Sequence, residues 1–155
     1  MRGMSAITTE TMAALRDSHQ DCFACGAGND RGLGLRFEIG ADGVAMADWQ
    51  APAGFRSYPD RLHGGVIATL LDSAMVHALF ARGIAGVTAE MKIRYLQKVG
   101  LREPLQITAS VVSERHGVFT CRADVHQGGV HAARASARFM AMASDPARPP
   151  DDGAV

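Results

Sequence analysis

One stretch dominates the apolar pattern. From His63-Gly64-Gly65 the chain runs through Val66, Ile67, Leu70, Leu71, Met75, Val76, Leu79 and Phe80 before it stops at Arg82-Gly83. Ala and Leu favour helix, and Gly83 is a natural stop. The segment has no polar face, which predicts a central helix wrapped by the rest of the protein. On its N-terminal side, Leu33, Leu35, Phe37 and Ile39 alternate with Gly34, Arg36 and Glu38, which predicts a strand over 33–40. Ala41-Asp42-Gly43 reads as a hairpin turn, and Val44 to Trp49 as the return strand, with Val44, Met46 and Asp48 on one side. After the helix, strand-like segments occupy about 87–97, 104–114, 117–127 and 130–142, with turn residues between them. That spacing predicts an antiparallel meander. With the first hairpin it makes an α+β fold: a sheet of five to six strands curled around one long helix.

The ends add little to this core. Residues 1–18 form an N-terminal segment in which Thr8 or Thr9 caps a short helix through Met12 and Leu15. The main domain is expected over 19–143. The Pro- and Asp-rich stretch 144–155 reads as a disordered tail, and the first few residues are expected to be disordered too.

Composition narrows the function classes. The chain has 155 residues, enough for one domain with a real core, and its formal net charge is zero. No basic run or interleaving of aromatic with basic residues points to nucleic acid. No apolar stretch is long and pure enough for a membrane span, and no signal-peptide core is visible, so a cytoplasmic location is expected. Three cysteines do not make a disulfide framework. His19-x-x-Cys22-x-x-Cys25 has the spacing to begin a zinc site, but a tetrahedral structural site needs a fourth ligand and no second C-x-x-C exists. Small, buried cysteines in a tight loop are the expectation.

The chemistry centres on Asp72, one carboxylate inside an apolar helix. A charge there is expensive unless it is paired, solvated by a cleft or used. Gly65 and Asp72 are seven residues apart, so they lie within roughly 20° of one helix face and about 10 Å apart along the axis. Free N–H groups at the glycine end offer an anion or carbonyl-oxygen site. Asp72 cannot serve a group held at the start of its own helix. It can do so if two helices run antiparallel, which predicts a homodimer with composite sites, and possibly a dimer of dimers. His63 lies nine residues before Asp72, about 180° around the helix, so no intrachain His–Asp dyad is expected. His63 either donates to a ligand in the cleft or fixes the backbone ahead of the glycines. His77, deeper in the helix, reads as a core or interface residue.

These residues resemble a known family. His63-Gly64-Gly65 followed by Asp72 on a helix in a β-rich chain is similar to the hotdog-fold acyl-CoA thioesterases of the phenylacetyl-CoA (PaaI-like) type. The resemblance extends over Cys22-Phe23-Ala24-Cys25-Gly26, Asn29, Gly32 to Phe37, Tyr58-Pro59 and Tyr95-Leu96, from about Cys22 to Met142. It implies the hotdog fold and hydrolysis of an acyl-CoA thioester. In that reading the Gly65 N–H polarises the carbonyl, Asp72 of the partner subunit activates water or attacks directly, and Thr88 helps place the water. Gly64, Ser57, Tyr58, Asp60 and Met75 are expected around the substrate. Ser57 and Asp60 depart from the glycine and amide residues of relatives. Arg115 and the Lys92, Arg94 and Lys98 face are an ordinary solvated surface or a place for coenzyme A phosphates. No cofactor or metal is required. Two alternatives stay open: a non-catalytic acyl-CoA-binding module, and a hotdog enoyl-CoA hydratase using an Asp–His pair five residues apart, a spacing that Asp72 and His77 have.

Overall fold

The computed structural model describes residues 7–142; the expected disorder at both chain ends falls outside them. Helix α1 spans Thr9–Asp17, and its N-cap Thr8 accepts from the Thr11 amide. Strands β1 (Glu38–Ile39) and β2 (Ala45–Trp49) form a hairpin, followed by a single 3₁₀ turn (Ala53–Phe55) and the long helix α2 (Gly64–Phe80). Strands β3 (Gly86–Tyr95), β4 (Leu105–Arg115), β5 (Val118–Gln127) and β6 (Val130–Ala141) complete one antiparallel sheet, in the order β1-β2-β4-β5-β6-β3.

The six strands and the central helix match the sequence pattern, with two differences. The predicted strand 33–40 pairs with β2 only at Glu38 and Ile39. Leu33, Leu35 and Phe37 do point inward, but the Leu33 and Leu35 amides donate to the Phe23 and Ala24 carbonyls, so a loop takes the ladder's place. The meander covers only β4 to β6. Strand β3 pairs with β6 at the far edge, because α2 crosses the concave face and delivers the chain there. On β2 the inward side is Ala45, Ala47 and Trp49; Met46 and Asp48 face out.

The buried face of α2 carries Leu70, Leu71, Ala74, Met75, Ala78 and Leu79, all without exposed surface. The wrapping is uneven along the helix: Gly65 at its start is exposed, and burial becomes nearly continuous only from Leu70. Opposite it, the register aligns Ala45, Ala109, Ala123 and Ala135 in one row across four neighbouring strands, each at most 5% exposed. Side chains this short let a helix and sheet approach closely. Two-residue turns join β4 to β5 and β5 to β6. Both need positive φ at two positions, supplied by His116-Gly117 (52° and 77°) and Gly128-Gly129 (57° and 78°). Among the described residues β3 has a neighbour on one side only. Its outer edge is ten residues long and bears Val87 and Tyr95, each more than half exposed.

Candidate functional site

The site is built around the start of α2. His63 is the N-cap, in extended backbone conformation, and its ring Nδ1 accepts the Gly65 N–H at 2.9 Å. This differs from the expectation of a free amide there: the orphan donor that any helix start exposes is taken by the imidazole two residues earlier. The sequence raised a structural role for His63, and the ring does meet the backbone of the glycine pair. The Tyr95 hydroxyl donates to the Gly64 carbonyl at 2.9 Å and ties the end of β3 to the first helical residue. Sequence reasoning assigned Tyr95 no role beyond its place in the resemblance, since an aromatic at the end of a strand carries no signal of its hydroxyl partner.

A cavity of about 380 Å³ lies beside this helix start, lined in part by Ser57, Arg61, Gly64, Ile67, Tyr95 and Lys98. Asp60 stands at its rim, accepting from Arg61 Nε at 3.0 Å and from Lys98 Nζ at 2.8 Å. The Arg61 guanidinium, and then the Lys98 ammonium, hold its carboxyl well below the usual carboxylate range. Tyr58 is exposed and carries the Arg61 guanidinium over its ring at 5.6 Å. Met75 is a correction: it is fully buried in the core and presents no surface to a ligand. Its helix position turns it toward the sheet rather than toward the cleft.

Asp72 is half-buried, two turns along from Gly65 on nearly the same face. Its Oδ1 accepts a 2.5 Å hydrogen bond from the Thr88 hydroxyl of the same chain. Thr88 sits where the β3–β6 register shifts, a bulge of the kind that re-aims a side chain. Among the described residues Asp72 Oδ2 has no hydrogen-bond partner, so one carboxylate oxygen is fixed and the other is available. Gly65 and Asp72 of one chain remain about 10 Å apart along the axis.

His77 lies elsewhere. It is buried, stacks on Phe37 with ring centroids 4.5 Å apart, and neither ring nitrogen has a partner among the described residues. Burial, reinforced by Arg16 and His19, brings its pKa down to about 4. It makes no hydrogen bond to Asp72, so these two side chains do not form a hydrogen-bonded pair within the chain. Lys92 and Arg94 line a separate hollow on the outer sheet face with Arg122 and Arg134, while Lys98 is engaged by Asp60. His19, Cys22 and Cys25 converge near the far half of α2, their ligand atoms within 4.8 Å of one another. Among the described residues no helix is long and apolar enough to cross a membrane.

Comparison with known proteins adds a family to this geometry. Residues 60–133 match the family model of the thioesterase superfamily. The acyl-coenzyme A thioesterase 13 proteins of Homo sapiens and Mus musculus are 42% and 40% identical over 55 residues, which is 34% of this chain. The match spans 39% of those relatives' length, so the chain aligns with about two fifths of each. A solved thioesterase superfamily protein superposes with a TM-score of 0.75 at 25% identity, covering 81% of this chain and 67% of its own. The E. coli PaaI protein from the phenylacetic acid degradation operon superposes at 0.72 with 18% identity, covering 86% and 95%. A hypothetical thioesterase from Streptococcus pneumoniae, solved with coenzyme A, superposes at 0.65 with 22% identity, covering 69% and 87%. That protein was also solved as a Thr-to-Ala and an Asp-to-Ala variant, at positions 16 residues apart. The fold is the hotdog, and residues 60–133, the segment that holds the glycine pair, Asp72 and Thr88, match the thioesterase superfamily.

Proposed function

We propose that this protein hydrolyses an acyl-CoA thioester to a carboxylic acid and coenzyme A. The observation that carries the reading is the Thr88–Asp72 hydrogen bond inside the superfamily match: one carboxylate, oriented by a hydroxyl, with its second oxygen open. The same 16-residue spacing separates the Asp and Thr positions altered in the streptococcal relative. The site takes one group from each of two chains. A second copy pairs its β3 antiparallel to the free β3 edge, setting the two α2 helices side by side. Asp72 and Thr88 of one chain then face Gly65 of the other, across a gap that neither chain bridges alone.

In this arrangement the thioester carbonyl oxygen takes the Gly65 N–H from His63, and the helix N-terminus stabilises the oxyanion as it forms. Asp72 takes the proton of an attacking water as general base, or attacks the carbonyl to give a mixed anhydride that water then cleaves. Thr88 keeps the carboxylate in place. The cavity lined by Ser57, Arg61 and Lys98 lies at the same helix start, where the coenzyme A arm can run out to solvent. No step needs a metal or a cofactor. The cytoplasm is the expected location.

The test is thiol release from short, long and aryl acyl-CoAs by wild type and Asp72→Asn. Hydrolysis by wild type, and a loss of about 10²–10⁴-fold in a folded Asp72→Asn protein, are expected. Mixed dimers test the composite site. Gly65→Pro removes the amide within the first helical turn, where no intrahelical hydrogen bond is lost. Refolding Asp72→Asn with Gly65→Pro places both lesions in one site and none in the other, so activity returns only if the residues act across chains. Acyl-CoA binding without thiol release by well-folded dimers is the result expected of a non-catalytic binding module.

A further inference from the structure

The loop between α1 and the first extended segment has no part in the proposed reaction, yet it gathers three metal-binding side chains. Backbone geometry brings them together. The Gly26 amide donates to the Cys22 carbonyl at 2.8 Å, and the Gly28 amide donates to the Gln20 carbonyl at 2.9 Å, closing the chain back on itself. Gly26 packs so tightly against the Gln20 carbonyl and the Cys22 backbone that any Cβ there would overlap them. The Cys22 amide donates to the His19 carbonyl at 3.0 Å. The result places Cys25 Sγ 3.7 Å from His19 Nδ1, and all three ligand atoms within 4.8 Å. Two tetrahedral ligands at ordinary zinc–sulfur and zinc–nitrogen bond lengths stand about 3.5 Å apart.

We propose that His19, Cys22 and Cys25 bind a thiophilic divalent cation, Zn²⁺ above all, with water in the fourth position. The spacing in sequence lacked a fourth protein ligand, which argued for a plain tight loop; the fold supplies a second observation. His77, only 6% exposed, lines the same cavity of about 180 Å³ as His19 and Cys25, and both of its ring nitrogens are without a partner among the described residues. Buried polar groups are nearly always satisfied, so an orphaned imidazole facing a cavity points to an occupant of that cavity. A metal-bound water is such an occupant: small, polar and able to donate to a neutral imidazole.

A thiophilic cation holds both cysteines as thiolates and releases their protons on binding.

The experiment uses the full chain, freed of any purification tag, expressed in zinc-supplemented medium and kept reduced. Elemental analysis should find about one zinc per chain. Exchange with Co²⁺ should give thiolate-to-cobalt charge-transfer absorption. Cys22→Ser and Cys25→Ser should lose both signals, while Cys121→Ser, remote from the loop, keeps them. If the variants do not fold, a mercurial thiol reagent added to wild type should release the zinc as it consumes two thiols. Reduced wild type with neither zinc nor cobalt absorption overturns the site. So does zinc that stays bound in the Cys22→Ser and Cys25→Ser double variant, or an air-formed Cys22–Cys25 disulfide that excess Zn²⁺ with reductant does not replace.

Discussion

The Gly65 amide and the His63 Nδ1 face each other across 2.9 Å, so the helix start is closed by its own N-cap before any ligand arrives. A carbonyl oxygen that uses this amide has to displace the ring. His63→Ala therefore has two separable effects. Loss of the cap lowers stability by about 1 kcal/mol, read as a fall in Tm. Thioester hydrolysis stays within about tenfold of wild type, because the amide survives and is freer. A loss beyond about a hundredfold in a folded variant would show instead that the imidazole touches the substrate.

In the proposed reaction the Thr88 hydroxyl acts through Asp72 rather than alone. Thr88→Ala leaves the carboxylate without its oriented donor, and a hydrogen bond to a charged group is worth about 1.5–3 kcal/mol, so kcat should fall roughly 10- to 100-fold. Thr88→Ser keeps the hydroxyl and should recover most of the rate. Equal losses in both variants would mean that the bulge geometry, not the hydroxyl, matters.

Tyr95 joins two elements at the same place. Tyr95→Phe removes the donor to the Gly64 carbonyl while keeping the ring. The expected cost is about 1 kcal/mol by denaturant unfolding, with a rise in KM as the cleft wall loosens. No change in either quantity would mean that water replaces the hydroxyl at no cost.

His77 makes the fold sensitive to acid. Its folded pKa of about 4 lies below the ordinary imidazole value of 6.5, so between these limits the unfolded chain binds a proton that the native one does not. The His77 contribution to stability is complete above pH 6.5 and is lost as pH falls toward 4, by at most about 3 kcal/mol. Urea titrations of His77→Leu, with a chelator present throughout, should show a flatter acid limb than wild type. An identical slope would place the acid sensitivity on other groups.

The β4–β5 turn holds a non-glycine residue where the backbone is left-handed, His116 at φ 52°. Asparagine adopts that conformation more readily than histidine, and Asn-Gly is the favoured pair for such turns. His116→Asn should stabilise the fold by about 0.5 kcal/mol. The measurement is the urea midpoint at constant m-value, and a lower midpoint would count against the turn assignment.

The sequence pattern was a good guide wherever period and punctuation decide structure. An apolar run closed by Arg82-Gly83 foretold α2, and strands separated by glycine turns foretold β4, β5 and β6 within a residue or two. Pairing was less legible. Nothing in the alternation of Met91, Ile93 and Tyr95 says that β3 lies beside β6, because periodicity defines a strand's faces and not its neighbours. Leu33 and Leu35 read as a strand for the same reason, though a loop carbonyl rather than a strand accepts their hydrogen bonds. At the site, Asp72 stood out as a charge in an apolar helix, while its link to Thr88 depends on a bulge that sequence does not announce. The Met75 position was misread because one turn of helix separates cleft from core. The Gly65 amide was expected to be free because capping by histidine is not among the common N-cap chemistries.

The row of Ala45, Ala109, Ala123 and Ala135 bears on selectivity as well as packing. Short side chains let α2 settle onto the sheet, and Leu70, Met75 and Leu79 fill what space is left. Leu70, Leu71, Ala74, Met75, Ala78 and Leu79 have no exposed surface, so this face of the helix offers a fatty or aromatic tail nothing to contact. In the proposed dimer an acyl group is therefore measured outside that face, against whatever wall the neighbouring chain supplies. Tail-length preference then becomes a property of the assembled pair, and residues that never touch the catalytic carboxylate are the ones free to tune it.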